Sequence, residues 1–485
     1  MSPSPTPSPL QPALDWLGRH QADLVERLRD YVRIPSVSAQ PAHAQDVHRC
    51  AEWIAGRFRS AGLSTVVHPT RTNPIVVART PKVEGAPTFM VYGHYDVQPP
   101  EPFDLWTTPP FDPQVRGDDL FGRGSSDNKG QHLAHLHAAE ACLASGIGLP
   151  CNLVFLVEGE EEVGSGALQE FLPLHRNELA CDAVVVSDNG IPDLEHPALT
   201  YALRGIAALE VRIDGPSKDL HSGLFGGTVE NPAMALCRLL AQMRDETGRV
   251  TIPGFYDDVV ELSAYERAQL ARLPTSPADY LALTGSPALF GEPGHTPEEQ
   301  RTARPTFEIN GLTSGYQGEG SKTIIPAWAS AKLTLRLVAN QDPGRVIAAV
   351  KAHLERSCPS NVRITVQHGH GAVPYLMSPD GPMAAAALAA LQEGYGHPGL
   401  LMREGGSIPI VSAFQRHLGA DTLLLGMALP DDNAHSPNEK FNLCSYASGM
   451  RMAVHLWPRL AAAARAADPG RFGRHESSGG SGSAA

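Results

Sequence analysis

The sequence predicts an α/β protein: a discontinuous domain with a mostly parallel sheet flanked by helices, interrupted by an inserted α+β domain of ferredoxin-like order. Three observations predict it. Apolar, strand-like runs alternate with helical patterns through residue 198, the signature of βαβ units. Between residues 199 and 381 the pattern changes to β-α-β-β-α-β, the split βαβ order. From about Pro382 the first pattern returns, so the first domain is closed by chain on both sides of the insertion.

Each element has its own signal. Leu14, Leu17, Leu24, Leu28 and Tyr31 recur at helical spacing over Ala13 to Val32, and Ile34-Pro35 ends the pattern. A second amphipathic helix runs from Asp46 to Ala61. Ile75 to Ala78 and Thr88 to Tyr92 read as strands, the latter running into Gly93-His94-Tyr95-Asp96. A glycine-rich turn, Leu120 to Gly130, feeds a helix through Ala144. Leu153 to Val157, bounded by Pro150 and Gly159, is a buried strand with four glutamates at its carboxyl end, Glu158, Glu160, Glu161 and Glu162. Ala183 to Val186 is another buried strand, with Ser187-Asp188 at its tip.

In the inserted domain, Ala207 to Ile213, Thr306 to Asn310, Ala329 to Val338 and Val362 to Gln367 read as strands, and Asn231 to Arg244 and Arg345 to Leu354 as helices. A polar, helix-prone stretch, Pro253 to Pro305, interrupts it without a sequence signal for its role. Leu423 to Gly426 is a strand and Ser445 to Ala467 the closing helix. The predicted layout is an arm over 1–12, the first domain over 13–198 and 382–470, the inserted domain over 199–381, and a flexible tail over 471–485.

Composition narrows the class. With 485 residues, 42% hydrophobic and 19% charged, the chain can bury more than one core. A net charge of −13, with no dense Lys/Arg stripe, argues against nucleic acid and anionic membranes as partners. Seven dispersed cysteines without a Cys-x-x-Cys pair point to reduced thiols and a cytoplasmic setting. The opening Met1 to Pro9 lacks the apolar core of a signal peptide, and no run approaches membrane-spanning length.

Acids crowded at the mouth of a buried sheet repel one another, so they take up protons or share a cation. His94, Asp127, Glu162, Asp188 and His435, with Glu161 beside them, form an N/O donor set suited to zinc, manganese or cobalt. Five ligands exceed one tetrahedral zinc, whereas two ions roughly 3.5–4 Å apart and sharing one carboxylate would use them all. Taken singly, each has a plainer reading. His94 could be a strand-end histidine, Asp127 or Asp188 a helix cap, Glu162 a surface charge, and His435 a loop residue beside Asp431 and Asp432.

The motifs Gly93-His94-Tyr95-Asp96-Val97, Gly122 to Gly130, Glu158 to Ser165 and Ser187-Asp188 together resemble the M20 family of dinuclear zinc peptidases, closest to its cytosolic dipeptidase and carnosinase-like branch. The resemblance runs from about Ile34 to the closing helix. It implies two divalent ions per subunit, Zn2+ or alternatively Mn2+ or Co2+, one held by His94 and Asp188, the other by Glu162 and His435, with Asp127 bridging and a cis peptide before Asn128. It further implies Glu161 as general base toward a metal-bridged water, with Asp96 supporting His94 from behind. His221, in Leu220-His221-Ser222-Gly223, matches the histidine that stabilises the oxyanion in the partner subunit, so a homodimer paired through the inserted lid domain is expected. Arg336 matches the arginine that grips the substrate carboxylate, and Gly406 and Ser407 the loop that helps it. The implied activity is hydrolysis of dipeptides or short peptides with a free C-terminus. An N-acyl-amino-acid deacylase or carboxypeptidase on the same scaffold, or a non-catalytic metal-binding homologue, are the alternatives.

Overall fold

The computed structural model describes residues 8–472. Of the expected arm, residues 1–7 lie outside the described residues, and the first helix, α1 (Gln11–Val32), already begins at Gln11. Pro12 explains the early start, because a proline in the first turn gives up no intrahelical hydrogen bond. Of the expected tail, residues from 473 onward lie outside the described residues, and Pro469–Phe472 is a short helical turn.

The chain continues through α2 (Ala44–Ser60), β1 (Ser64–His68), β2 (Ile75–Arg79), β3 (Thr88–His94), α3 (Gln131–Ala144), β4 (Asn152–Glu158), α4 (Gly166–His175), β5 (Ala183–Val186) and β6 (Ala198–Leu203). Next come β7 (Gly205–Asp214), α5 (Pro232–Ala241), β8 (Thr306–Ser314), β9 (Trp328–Leu337), α6 (Pro343–Ser357) and β10 (Arg363–Ala372). It closes with α7 (Pro382–Tyr395), β11 (Leu400–Glu404), α8 (Pro409–Leu418), β12 (Asp421–Leu424) and α9 (Leu443–Ala467).

Two compact units result: Met1–Tyr201 with Met377–Met402 and Ala413–Ala485, and Ala202–Leu376 with Arg403–Ser412. Sequence reasoning returns the whole chain after residue 381 to the first domain, whereas residues 403–412 group with the second unit. The reason is local: Arg204, Glu266 and Arg301, all in the second unit, hold Glu404, Gly405 and Arg403.

In the first unit the strands run in the order β1-β2-β4-β3-β5-β12-β6. The central four, β4-β3-β5-β12, pair in parallel, while the β1/β2, β2/β4 and β12/β6 pairs are antiparallel, and β11 pairs with β6 on the far side. The sheet is therefore mixed, with the parallel part at its centre. Those central strands are buried almost without interruption, as expected of strands covered on both faces. Helix α3 is itself buried on nearly every side through Ala139 and packs against α9 and α1.

The second unit holds an all-antiparallel sheet in the order β8-β9-β7-β10. Numbering its strands by sequence gives 2-3-1-4, the ferredoxin-like arrangement the sequence predicts. One face buries Leu209, Val211, Leu333 and Leu335 against Leu236 and Leu239 of α5 and Val346 and Ile347 of α6. Strand alternation then places Thr306, Glu308, Thr334 and Arg336 on the opposite face, with Thr306 paired to Arg336 and Glu308 to Thr334. Among the described residues no helix is long and apolar enough to cross a membrane.

Candidate metal centre

Four adjacent parallel strands deliver the candidate ligands at their carboxyl ends. Glu161 and Glu162 follow β4, His94 ends β3, Asp188 follows β5, and the loop after β12 carries His435. This is where open α/β sheets place their ligands. Asp127 comes from the turn before α3, and the Asp127–Asn128 peptide bond is cis.

The ligand atoms converge as two triads that share one carboxylate. His94 Nε2 lies 3.2 Å from Asp127 Oδ1 and 3.4 Å from Asp188 Oδ1. His435 Nε2 lies 2.9 Å from Asp127 Oδ2 and 3.4 Å from Glu162 Oε2. Each oxygen of Asp127 thus faces a different histidine. Both groups, His94/Asp127/Asp188 and Asp127/Glu162/His435, have their donor atoms within 4.8 Å of one another.

The donor chemistry fits a pair of divalent ions. His94 Nδ1 is 3.0 Å from the Asp96 carbonyl, which accepts its proton and leaves Nε2 as a lone pair. That Nε2 is buried and has no well-formed hydrogen bond among the described residues, as expected of an atom aimed at a point it shares with carboxylates rather than at a donor. Without a cation the imidazoles take that part. Hydrogen bonding to Asp127 holds His435 up at about 9. Burial and the Asp127 charge push Glu162 up to about 8. Against burial, His435 and His94 hold Asp127 below the usual carboxylate range. Cations in their place would displace these protons.

Glu161 stands apart from both triads. Among the described residues its carboxylate has no hydrogen bond or ion pair, and burial, countered by His94 and reinforced by Asp188 and Asp127, raises it to about 7. A free carboxylate with this affinity for a proton is suited to general acid–base work near neutrality.

The supporting contacts explain why the ligands sit where they do. Asp96 does more than the sequence suggests: its carbonyl is the nearer partner of His94, its Oδ1 lying 3.4 Å away. Its carboxylate accepts the N–H groups of Glu161 at 3.3 Å and Glu162 at 3.2 Å, and Ser38 Oγ donates to it at 2.7 Å. Gln98 Nε2 donates to Glu162 Oε2 at 2.8 Å. Asn128 Nδ2 donates to Asp188 Oδ1 at 2.8 Å, and its Oδ1 accepts from His94 N and faces His132 Nδ1 at 3.0 Å. Burial pushes His132 down to about 3, so the ring is neutral. A Cβ on Gly93 would stand 2.5 Å from His132 Cβ, so only glycine lets α3 lie this close to β3.

The fully buried Glu439 ties the Asp127 turn to the His435 loop. Its two oxygens accept from Arg123 Nη1 at 2.7 Å and from the main-chain N–H groups of Gly124, Ser126 and Asp127 at 2.9, 3.1 and 3.0 Å. Asp432, in the same loop, accepts from Ser126 Oγ at 2.8 Å. His435 itself has a positive φ of 61° and a 56% exposed side chain, so the position of this candidate ligand depends on the loop being held. Sequence reasoning does not find Glu439, Asn128 or Gln98 in these roles. Glu439 lies four residues past His435 with no periodic pattern to mark it.

The remaining predicted site residues lie in the second unit. His221 is exposed, and its Nδ1 accepts the Gly223 N–H at 3.0 Å, which places the proton of the neutral ring on Nε2. Arg336 Nη1 donates to Ser407 Oγ at 3.2 Å, while the Ser407 hydroxyl gives its own proton to the Arg204 carbonyl at 2.5 Å. Ser407 therefore orients Arg336, its one proton being committed. Gly406 beside it keeps a main-chain N–H without a partner among the described residues.

Residues 90–459 match the family model for peptidase family M20/M25/M40. A Cys-Gly metallodipeptidase of Candida albicans is 33% identical over 91% of this chain and 96% of its own length. The human Beta-Ala-His dipeptidase is 30% identical over 95% of this chain and 94% of its own. Among solved structures, an M20 family metallo-carboxypeptidase from Sulfolobus solfataricus superimposes with a TM-score of 0.77 at 30% identity, covering 90% of this chain and 99% of that one.

Proposed function

Because the chain belongs to peptidase family M20/M25/M40, we propose that it hydrolyses the peptide bond of dipeptides and very short peptides with a free C-terminus, using two divalent metal ions. The observation that carries this is the pair of triads sharing Asp127, with the Glu161 carboxylate, unpartnered among the described residues, alongside. His94 and Asp188 would hold one ion, Glu162 and His435 the other, and Asp127 both. Bound there, the ions would lower the pKa of a shared water and polarise the scissile carbonyl. Zinc suits the donors, as do manganese and cobalt.

The chain's own residues then move the protons. Glu161 takes one from the attacking water and returns it to the leaving amine. Asp96 keeps Glu161 and Glu162 in place through their main-chain N–H groups, and the Nε2–H of His221 is available to a developing oxyanion. Arg336 and the Gly406 N–H bind the substrate carboxylate, with Ser407 orienting the guanidinium. Recognition of that terminal charge makes the enzyme an exopeptidase.

His221 would serve the other subunit of a homodimer paired through the second unit. Supporting that reading, Leu224, Phe225, Val229 and Met234 are exposed, and β8 is an edge strand presenting Ile309 and Leu312. An open apolar edge of this kind is a template for pairing. The cysteines are all free thiols, which supports a cytoplasmic setting.

The similarity to a metallo-carboxypeptidase favours a second reading, in which the acyl side of the substrate is blocked or longer. Assaying free dipeptides, their N-acetyl forms and longer peptides with zinc, manganese and cobalt separates the two. We expect free dipeptides to lead by at least about tenfold in kcat/KM, about 1.4 kcal/mol of transition-state binding. Equal or faster turnover of the N-acetyl forms contradicts the dipeptidase reading.

A further inference from the structure

Residues 253–305, for which the sequence offers no role, end against the loop that orients Arg336. Three short helices make up most of this insertion: Ala264–Leu270, Pro277–Thr284 and Pro297–Ala303. Each opens with a reciprocal capping box, Ser263 with Glu266, Ser276 with Asp279 and Thr296 with Glu299, so each is well fixed at its start. Two side chains leave them for residues 403–404. Glu266 forms a buried ion pair with Arg403. Arg301 donates through Nη1 to Glu404 Oε1 at 3.3 Å, and its Nε is itself held by Glu298 Oε2 and Tyr280 Oη, each at 3.0 Å.

Arg204 grips the same loop from the other side. Its main-chain N–H donates to Glu404 O at 3.2 Å, its Nε to Gly405 O at 3.1 Å, and its carbonyl accepts the Ser407 hydroxyl. No slack remains between the two arginines. A Cβ on Gly405 would stand 2.8 Å from Arg301 O and 3.1 Å from Arg204 Nη2. The outcome is a fixed Ser407 Oγ that accepts from Arg336.

The surroundings are electropositive. Arg204, Arg301 and Arg336 line one cavity of about 940 Å3 together with Tyr280, Glu308 and Thr334. Among the described residues, Arg301 is paired with Glu298 and Glu404, but no carboxylate lies within ion-pair distance of Arg204 or Arg336. Burial, then Arg336 and Arg301, push Arg204 down to about 10, as expected where cations outnumber their partners.

We propose that the insertion is a splint for the carboxylate-binding loop: Arg301 through Glu404, and Arg204 through Gly405 and Ser407, fix the guanidinium of Arg336, making Arg301 and Arg204 positioning residues for the substrate's free carboxylate. This rests on the reading of Arg336 as the carboxylate contact. The role of residues 253–305 is then to set the affinity for the charged end of the substrate and leave the hydrolytic step to the other unit.

Two inhibitors of the metal-loaded, full-length enzyme test this: L-leucine, which carries the carboxylate, and 3-methylbutylamine, which does not. Misplacing a binding group by a fraction of its reach costs up to about 10²-fold, so Arg301→Gln should raise the leucine inhibition constant and the dipeptide KM by about tenfold. The amine constant and kcat should stay within about twofold to threefold, and Glu404→Gln should reproduce the pattern with no further loss in the double variant. An unchanged leucine constant in Arg301→Gln, or equal weakening of leucine and the amine, overturns the splint. Arg336→Met in the same assay separates the two readings: if it leaves leucine binding intact, the carboxylate contact itself is wrong.

Discussion

Glu161→Gln should lower kcat by about 10²–10⁴-fold, the range a positioned general acid–base supplies, while the protein keeps both metal ions. Glutamine has the size of glutamate but no basic oxygen, and Glu161 belongs to neither ligand triad. Its carboxylate holds no partner among the described residues, so its replacement leaves no buried donor unsatisfied, and its main-chain N–H stays on Asp96. Stability should therefore change little. The check is kcat and metal content measured on one preparation. Near-normal turnover would move the base elsewhere, and loss of an ion would make Glu161 a ligand.

Asp127→Asn should release both ions together. Partners that only support a ligand are worth about 10–100-fold in metal affinity, and removing the one carboxylate shared by both triads should exceed that at each site. Asparagine keeps the main-chain N–H on Glu439, so the turn itself should persist. Asp188→Asn and His435→Gln provide the contrast, because each touches one triad and should weaken one ion far more than the other. Competition with a metal chelator across these three variants checks the pattern. Selective loss of a single ion from Asp127→Asn would remove the shared role.

Legibility in the sequence followed the length of the signal. His94, Glu161, Glu162 and Asp188 were readable because each ends or closely follows a short apolar strand, where buried backbone stops and polar side chains gather. His435 has no such marker: it sits eleven residues past β12, in a loop with left-handed residues at Asn433, His435 and Asn438, and it enters the donor set only in company with the other four. The ferredoxin-like order was legible because its two central strands, β7 and β9, alternate over ten residues each. The antiparallel flanks of the large sheet were not, since pairing direction depends on how distant chain segments meet. For the same reason Glu439, which reaches Gly124, Ser126 and Asp127 across more than three hundred residues, and residues 403–412, held by the insertion, carry no local trace of what they do.

The most direct test of the shared-carboxylate centre is to titrate metal-free protein with zinc or manganese, then locate the ions in crystals by anomalous scattering. Two ions per chain are predicted, one on His94 and Asp188, the other on Glu162 and His435, with Asp127 on both. A single ion, or a pair that does not share Asp127, contradicts the account.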